Sequence, residues 1–363
     1  MSKLYMKGNE AIVEGALKAG VEGFLGYPIT PASEIIETFA QRYFADRERE
    51  KRGEKPLYPK FRLFLQMESE IASINAVMGG ASVGCRVMTA SSSPGISLKQ
   101  EGISYLAACE LPCVIVNIMR GGPGLGSIQP EQGDYFQAVK GGGHGDYKLI
   151  VLAPNSVQEM AEHTMLLFNL TDKYRNPGMI LTDGYLGQMK ESMEFPDIPI
   201  EKYEKPWAVT GIGNRETQNI IESLFLAPEP MIEAKTKLWQ KYKKIESNEV
   251  RYEIYKVEDA KILVTAYGTP SRVAKAAVDL AREKGVKVGL LRPITLWPFP
   301  YKIYADLTSN QIDKVLVVEM SFGQLLEDVK LGVEGRAEVR LYAVYGGIVP
   351  TEKDILEKIM EFD

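Results

Sequence analysis

The stretch FLQMESEIASINAVMGGASVGCRVMTA, Phe64 to Ala90, holds a whole structural unit. An apolar run ending at Met67 reads as a strand, Glu70 to Gly84 as a helix of small and aliphatic residues, and CRVMTA as the next strand. The unit repeats on both sides. RLFLQM and CRVMTA are joined by GFLGYP, CVIVNIM, KLIVLAP and GMILTD, each short and nearly continuously apolar, as expected of strands covered on both faces. Between them lie helix candidates at Glu10–Ala19, Ser33–Tyr43, Ser97–Ala108 and Val157–Asn169. This alternation predicts an α/β fold with a doubly wound parallel sheet over residues 1–190. DREREKRGEKPLYPK, Asp46 to Lys60, reads as a solvated loop between two units. Residues 191–257 break the pattern with Pro196, Pro199, Pro206, Pro228 and Pro230 and a heavily charged stretch, and read as a connector with an exposed helix. A smaller α/β unit is expected over 258–363, from KILVTAYGT through a helix at Ser271–Lys284 to the strands VKVGLLRP, KVLVVEM and VRLYAVYG.

Composition narrows the function. The 363 residues are 45% hydrophobic and 25% charged, an ordinary globular balance. A net charge of -5 argues against nucleic-acid or membrane-surface binding, which concentrates Lys and Arg on one face. No apolar run approaches a membrane span, and MSKLYMKGNE lacks a signal peptide's apolar stretch, so a cytoplasmic location is expected. Cys85, Cys109 and Cys113 are too few for a four-thiolate cluster and lack the spacing of a metal site, so they read as buried free thiols. No metal site is expected on this chain.

In doubly wound sheets, ligands bind beyond the carboxyl ends of the strands. The first loop there, GYPITPASE, is stiffened by Pro28 and Pro31 around Thr30, and Ser33 can cap the following helix. It is either a rigid turn or a preorganised loop presenting the Thr30 hydroxyl. The next holds Glu68 and Glu70. One acid in the first turn of a helix is explained by the helix dipole. Glu70 asks for more, because the helix after it carries no charge. A carboxyl held among such residues is poorly hydrated, the setting in which acids give or share protons. ASSSPGISLKQEG follows a third strand, and NIMRGGPGLGSIQPEQ puts Arg120 at the end of a fourth, either as a structural ion pair or as a carboxylate ligand. The glycine loop after it has Ser127 where a dinucleotide fingerprint needs its third glycine, and GGGHGDYK is no P-loop. Of the two histidines, His144 lies in that second glycine loop and can meet a ligand, while His163 reads as structural.

Taken in order, GYPITP, QMESEIASINAVMGGASVG, SSSPGISLKQEGISYLAACELPCVIVNIMRGGPG and KILVTAYGTPSRVAKAAVDLAREKGVKVGLLRPITLWPFP resemble the alpha subunit of thiamine-diphosphate-dependent 2-oxoacid:ferredoxin oxidoreductases over nearly the whole chain. The resemblance implies a pyrimidine-binding, transketolase-like first domain and a transketolase C-terminal-like second one. It implies that thiamine diphosphate is shared with a beta subunit carrying the diphosphate-binding domain and magnesium. Gamma and delta (ferredoxin-like) subunits would carry the iron–sulfur clusters, with coenzyme A and ferredoxin as further partners. Matched on ESEIA, Glu70 is the residue that hydrogen-bonds a ring nitrogen of the aminopyrimidine. Tyr27, Pro28 and Ser93 would also touch the cofactor, and Thr30 and Arg120 would hold the oxo and carboxylate groups of the substrate. After Arg120 there is no Lys or Arg before Lys140, which resembles the branched-chain, 2-oxoisovalerate type more than a dicarboxylate enzyme. A 2-oxoglutarate enzyme, an acyl-transfer α/β protein and a non-catalytic scaffold are the alternatives.

Overall fold

The computed structural model describes residues 3–195 and 197–363; Met1, Ser2 and Pro196 lie outside them. The first part of the chain runs β1 (Leu4–Lys7), α1 (Gly8–Lys18), β2 (Gly23–Gly26), α2 (Ser33–Lys51), β3 (Leu63–Gln66), α3 (Glu70–Ser82), β4 (Val87–Ser91) and α4 (Ser93–Ala108). It continues with β5 (Val114–Met119), α5 (Tyr135–Val139), β6 (Ile150–Leu152), α6 (Val157–Tyr174), β7 (Gly178–Asp183), α7 (Gly184–Gln188) and β8 (Lys190–Met193). The long exposed helix α8 (Pro228–Asn248) follows, then β9 (Tyr252–Tyr255), β10 (Ile262–Thr265), α9 (Gly268–Glu283), β11 (Val288–Pro293) and β12 (Thr295–Trp297). The chain ends with α10 (Tyr301–Asn310), β13 (Lys314–Glu319), α11 (Gln324–Val333), β14 (Glu338–Ala343) and α12 (Glu352–Phe362).

The apolar runs assemble into a seven-stranded sheet in the order β12-β6-β7-β5-β4-β2-β3. All its pairs are parallel except that of β12 with β6. β4, β5, β6 and β7 are buried along their whole length, as continuous apolar runs require. β3 departs from that expectation. It is an edge strand paired only with β2, and Leu63 and Leu65 are exposed because nothing among the described residues covers that edge. A second sheet, β14-β13-β10-β11-β9, carries the smaller unit. The two sheets exchange strands: β9 precedes residue 258 yet pairs with β11, and β12 leaves β11 to join β6.

Local chemistry explains where elements outrun their sequence expectation. α2 continues through the first part of the charged insertion because ion pairs such as Arg47–Glu50 and Lys51–Glu48 stabilise the helix until Gly53. Buried Asp46 then receives the returning chain through the backbone N–H groups of Leu57 and Tyr58, at 2.8 and 2.7 Å. α4 starts at Ser93, not Ser97, because Pro94 falls in the first turn, where no N–H partner is missed. α2 starts at Ser33 itself, with Ala32 at the cap position, so Ser33 is not the cap. No helix among the described residues is long and apolar enough to cross a membrane.

The smaller unit docks on the first sheet through polar bridges. The Gln132 side chain donates to Tyr267 O and accepts from Met320 N, at 3.0 and 2.9 Å. Buried Asp183 caps α7 and accepts from the Thr269 hydroxyl at 2.8 Å. Arg292 makes two 2.7 Å bonds to Glu159 on α6. One turn along that helix, His163 is buried, its Nδ1 has no partner among the described residues, and burial drives its pKa down to about 4. The unfolded chain takes up this proton near pH 6.5, so His163 favours folding fully above that pH. The contribution is lost as pH falls from about 6.5 towards about 4, a change of about 3 kcal/mol. His163→Gln is expected to flatten this acid limb in urea midpoints measured against pH; an unchanged slope assigns it to other groups.

Candidate active site

The site is built at the carboxyl ends of β2, β3, β4 and β5. Ser69 starts α3 in extended backbone, and its hydroxyl accepts from Ala72 N at 3.1 Å. That cap decides between the two glutamates. Glu68 lies outside the helix and is exposed, whereas Glu70, the first helical residue, is 7% exposed. Among the described residues no hydrogen bond or ion pair takes up the Glu70 carboxylate. It rests on the first turn of α4, where a Cβ on Gly95 would lie 2.8 Å from Glu70 Oε1 and 2.1 Å from Ser91 Oγ. Only glycine lets these two side chains pack so closely on the helix.

The serine run fixes the neighbouring corner. Ser93 Oγ donates to Asp134 Oδ2 at 2.6 Å and accepts from Arg120 N at 3.0 Å. Asp134 also accepts from Asn117 Nδ2 at 2.9 Å, and burial raises its carboxyl above the usual range against those two bonds. Ser93 is therefore engaged in holding the Arg120 backbone. Among the described residues the hydroxyls of Ser91 and Ser92 are buried without a partner, so both can still bond a ligand. The resemblance points to Ser93 for cofactor contact, and spacing alone does not tell it from its two serine neighbours.

Arg120 is 8% exposed. Its Nη1 donates to Thr30 O at 2.9 Å and its Nη2 to Leu125 O at 3.2 Å, while Nε is buried with no partner. No carboxylate pairs with it among the described residues. A buried guanidinium held only by carbonyls can still take an anionic partner. The Thr30 loop is held from below: Asn9 donates to Pro31 O at 2.8 Å and to Glu34 at 2.9 Å, and Lys7 pairs with Glu34 at 2.8 Å. Thr30 is exposed beside a cavity of about 630 Å³, whose lining includes Ile128, Pro130, Tyr185 and Met189 and no Lys or Arg. The structure thus brings Thr30, Ser93 and Arg120 together and sets Glu70 beside Ser91. Tyr27 and Pro28 are exposed at the end of β2, without a hydrogen bond to the others. His144 is exposed and packs edge-on against Tyr105 at 6.4 Å.

Two buried groups escaped the sequence reading. Asp134 follows an irregular loop with no periodicity to mark it. Lys99 lies within α4, where a lysine ordinarily faces water, yet it is fully buried. Its Nζ donates to Thr89 Oγ1 at 3.2 Å and to Glu70 O at 3.3 Å, and burial drives its pKa down to about 8.

These features fit the pyrimidine half of thiamine diphosphate. An unpaired buried carboxylate can meet a ring nitrogen, and the unpartnered Ser91 hydroxyl lies beside it. Residues 14–253 match the family model described as pyruvate flavodoxin/ferredoxin oxidoreductase, thiamine diphosphate-binding. Residues 260–355 match that of pyruvate:ferredoxin oxidoreductase core domain II. The chain is 52% identical over 363 residues to a ketoisovalerate oxidoreductase subunit, VorB, of Methanothermobacter thermautotrophicus, covering 99% of this chain and 98% of that one. It is 38% identical over 368 residues to a 2-oxoglutarate synthase subunit, KorA, of Methanocaldococcus jannaschii, with 94% and 95% covered. Among solved structures, it is similar to the 2-oxoglutarate:ferredoxin oxidoreductase from Magnetococcus marinus with 2-oxoglutarate, coenzyme A and succinyl-CoA bound. That similarity has a TM-score of 0.85 at 28% identity, over 99% of this chain and 65% of that one. With two family models spanning both sheets and a relative matched almost end to end, the chain belongs to the alpha-type subunits of the 2-oxoacid:ferredoxin oxidoreductases.

Proposed function

We propose that this chain is the alpha subunit of a cytoplasmic complex that converts 3-methyl-2-oxobutanoate and coenzyme A to the branched acyl-CoA and carbon dioxide, passing the electrons singly to ferredoxin. The observation that carries this is a pair of buried charged side chains beyond the carboxyl ends of β3 and β5, Glu70 packed on Gly95 and Arg120 without a counter-ion among the described residues. Thiamine diphosphate, when bound, supplies the nucleophilic carbon and the electron sink for decarboxylation. Glu70 holds the proton at the pyrimidine ring nitrogen, with the Ser91 hydroxyl beside it, Ser93 on the adjoining turn and Tyr27 and Pro28 at the rim. Arg120 binds the substrate carboxylate, and the Thr30 hydroxyl is placed for the oxo group. Fixing both ends of the reacting unit orients the carbonyl carbon for attack. A beta subunit holds the diphosphate and its magnesium, and gamma and delta subunits carry the iron–sulfur clusters. The unit boundaries proposed are 1–190, 191–257 and 258–363.

Two observations favour the branched substrate over 2-oxoglutarate: the cavity beside Thr30 has no Lys or Arg in its lining, and identity to the ketoisovalerate subunit exceeds that to the 2-oxoglutarate one. A second carboxylate would enter that cavity unpaired. The test is purification of the assembled complex and a panel of 2-oxoacids with coenzyme A, thiamine diphosphate and a viologen acceptor. The expected result is no turnover by the chain alone. In the complex, kcat/KM should favour 3-methyl-2-oxobutanoate over 2-oxoglutarate by about 100-fold or more. A preference for 2-oxoglutarate would replace this substrate assignment with the dicarboxylate one.

A further inference from the structure

The charge of Lys99 has no part in the chemistry proposed above. Lys99 lies four residues past Gly95, so the two share a face of α4. Gly95 meets the Glu70 carboxylate, while the Lys99 ammonium reaches the Glu70 carbonyl and the Thr89 hydroxyl of β4. No carboxylate oxygen lies within ion-pair distance of Lys99 among the described residues. A buried ammonium without a counter-ion in contact is costly to folding, and methionine would fill similar space without that cost. From α3 it faces Glu70 and from β4 the neutral Thr89; Glu70 is the charged group that acts on it, favouring its protonated form against burial.

We propose, on the reading of Glu70 given above, that Lys99 is a positioning residue whose buried charge attracts the Glu70 side chain through space and holds the carbonyl of the same residue, leaving both carboxylate oxygens free. A contact ion pair would stabilise the carboxylate equally well but would occupy an oxygen that the ring nitrogen needs. Anchored on the carbonyl of the same residue, the ammonium acts through space instead. Both side chains are buried, where attraction is less screened than in water.

The experiment is a double-mutant cycle on the full-length chain without cofactor, using urea midpoints for wild type, E70Q, K99M and E70Q/K99M on either side of pH 8. Below pH 8, E70Q is expected to lower the midpoint more with Lys99 present than in the K99M background. Above it, where Lys99 loses its proton in the fold, that difference should shrink. In the assembled complex, K99M is expected to weaken thiamine diphosphate binding about tenfold by calorimetry. Equal E70Q shifts in both backgrounds at both pH values overturn the proposal. A clear coupling with thiamine diphosphate bound normally by both E70Q and K99M overturns the cofactor reading of Glu70 instead. Should K99M fail to fold, the E70Q shift alone decides, since it must become smaller as pH rises through about 8.

Discussion

Glu70→Gln lowers the turnover of the assembled complex by about 10²–10⁴-fold, the range for a lost proton-transfer group, and leaves the complex assembled. The replacement keeps the volume of the side chain, so the packing against Gly95 and Ser91 stays as it is. The helix also keeps its start, because the cap belongs to Ser69. What disappears is a group able to hold a proton at a ring nitrogen. Glutamine can still donate or accept a neutral hydrogen bond, so binding of the cofactor weakens less than turnover falls. Steady-state dye reduction alongside calorimetry of thiamine diphosphate separates the two effects. Full turnover by the variant would remove Glu70 from the chemistry.

Arg120→Lys is expected to lower kcat/KM for the 2-oxoacid by roughly 10²-fold or more, mostly through KM. Losing a buried, hydrogen-bonded charge contact costs about 2–5 kcal/mol. The guanidinium spans the carbonyls of Thr30 and Leu125 with two nitrogens and leaves Nε for the ligand. An ammonium is a single point on a flexible stem, and it cannot make that span and also present a planar face to a carboxylate. The substrate therefore loses its anchor, and the loop that supplies the Leu125 carbonyl loses its tie. Binding of thiamine diphosphate should change little. A variant with unchanged KM and kcat/KM would make Arg120 a structural residue that only joins the two loops.

The strands read most directly from sequence are those whose environment is uniform. β4, β5 and β7 are covered on both faces, and a continuous apolar run admits few other placements. β3 has almost the same composition as its neighbours, yet it stands at the edge, because strand order depends on which helix crosses over which strand. Glu70 stood out because its own helix isolates a charge among apolar residues. Nothing local distinguishes Ser93 from Ser91 and Ser92. Their roles follow from Asp134 and Arg120, which reach Ser93 from loops far along the chain.

By itself, the sequence determined the alternation of strands and helices, the glutamate that begins α3 and the arginine that ends β5. Each is a matter of periodicity or of one charge set against its nearest neighbours. Only the tertiary structure decided that Lys99 is buried beneath Glu70, that Arg120 has no counter-ion among the described residues and that Ser93 is already bonded. The physical reason is that the hydration and pairing of a polar group are set by every segment that closes over it. Those segments meet only when the sheet has formed.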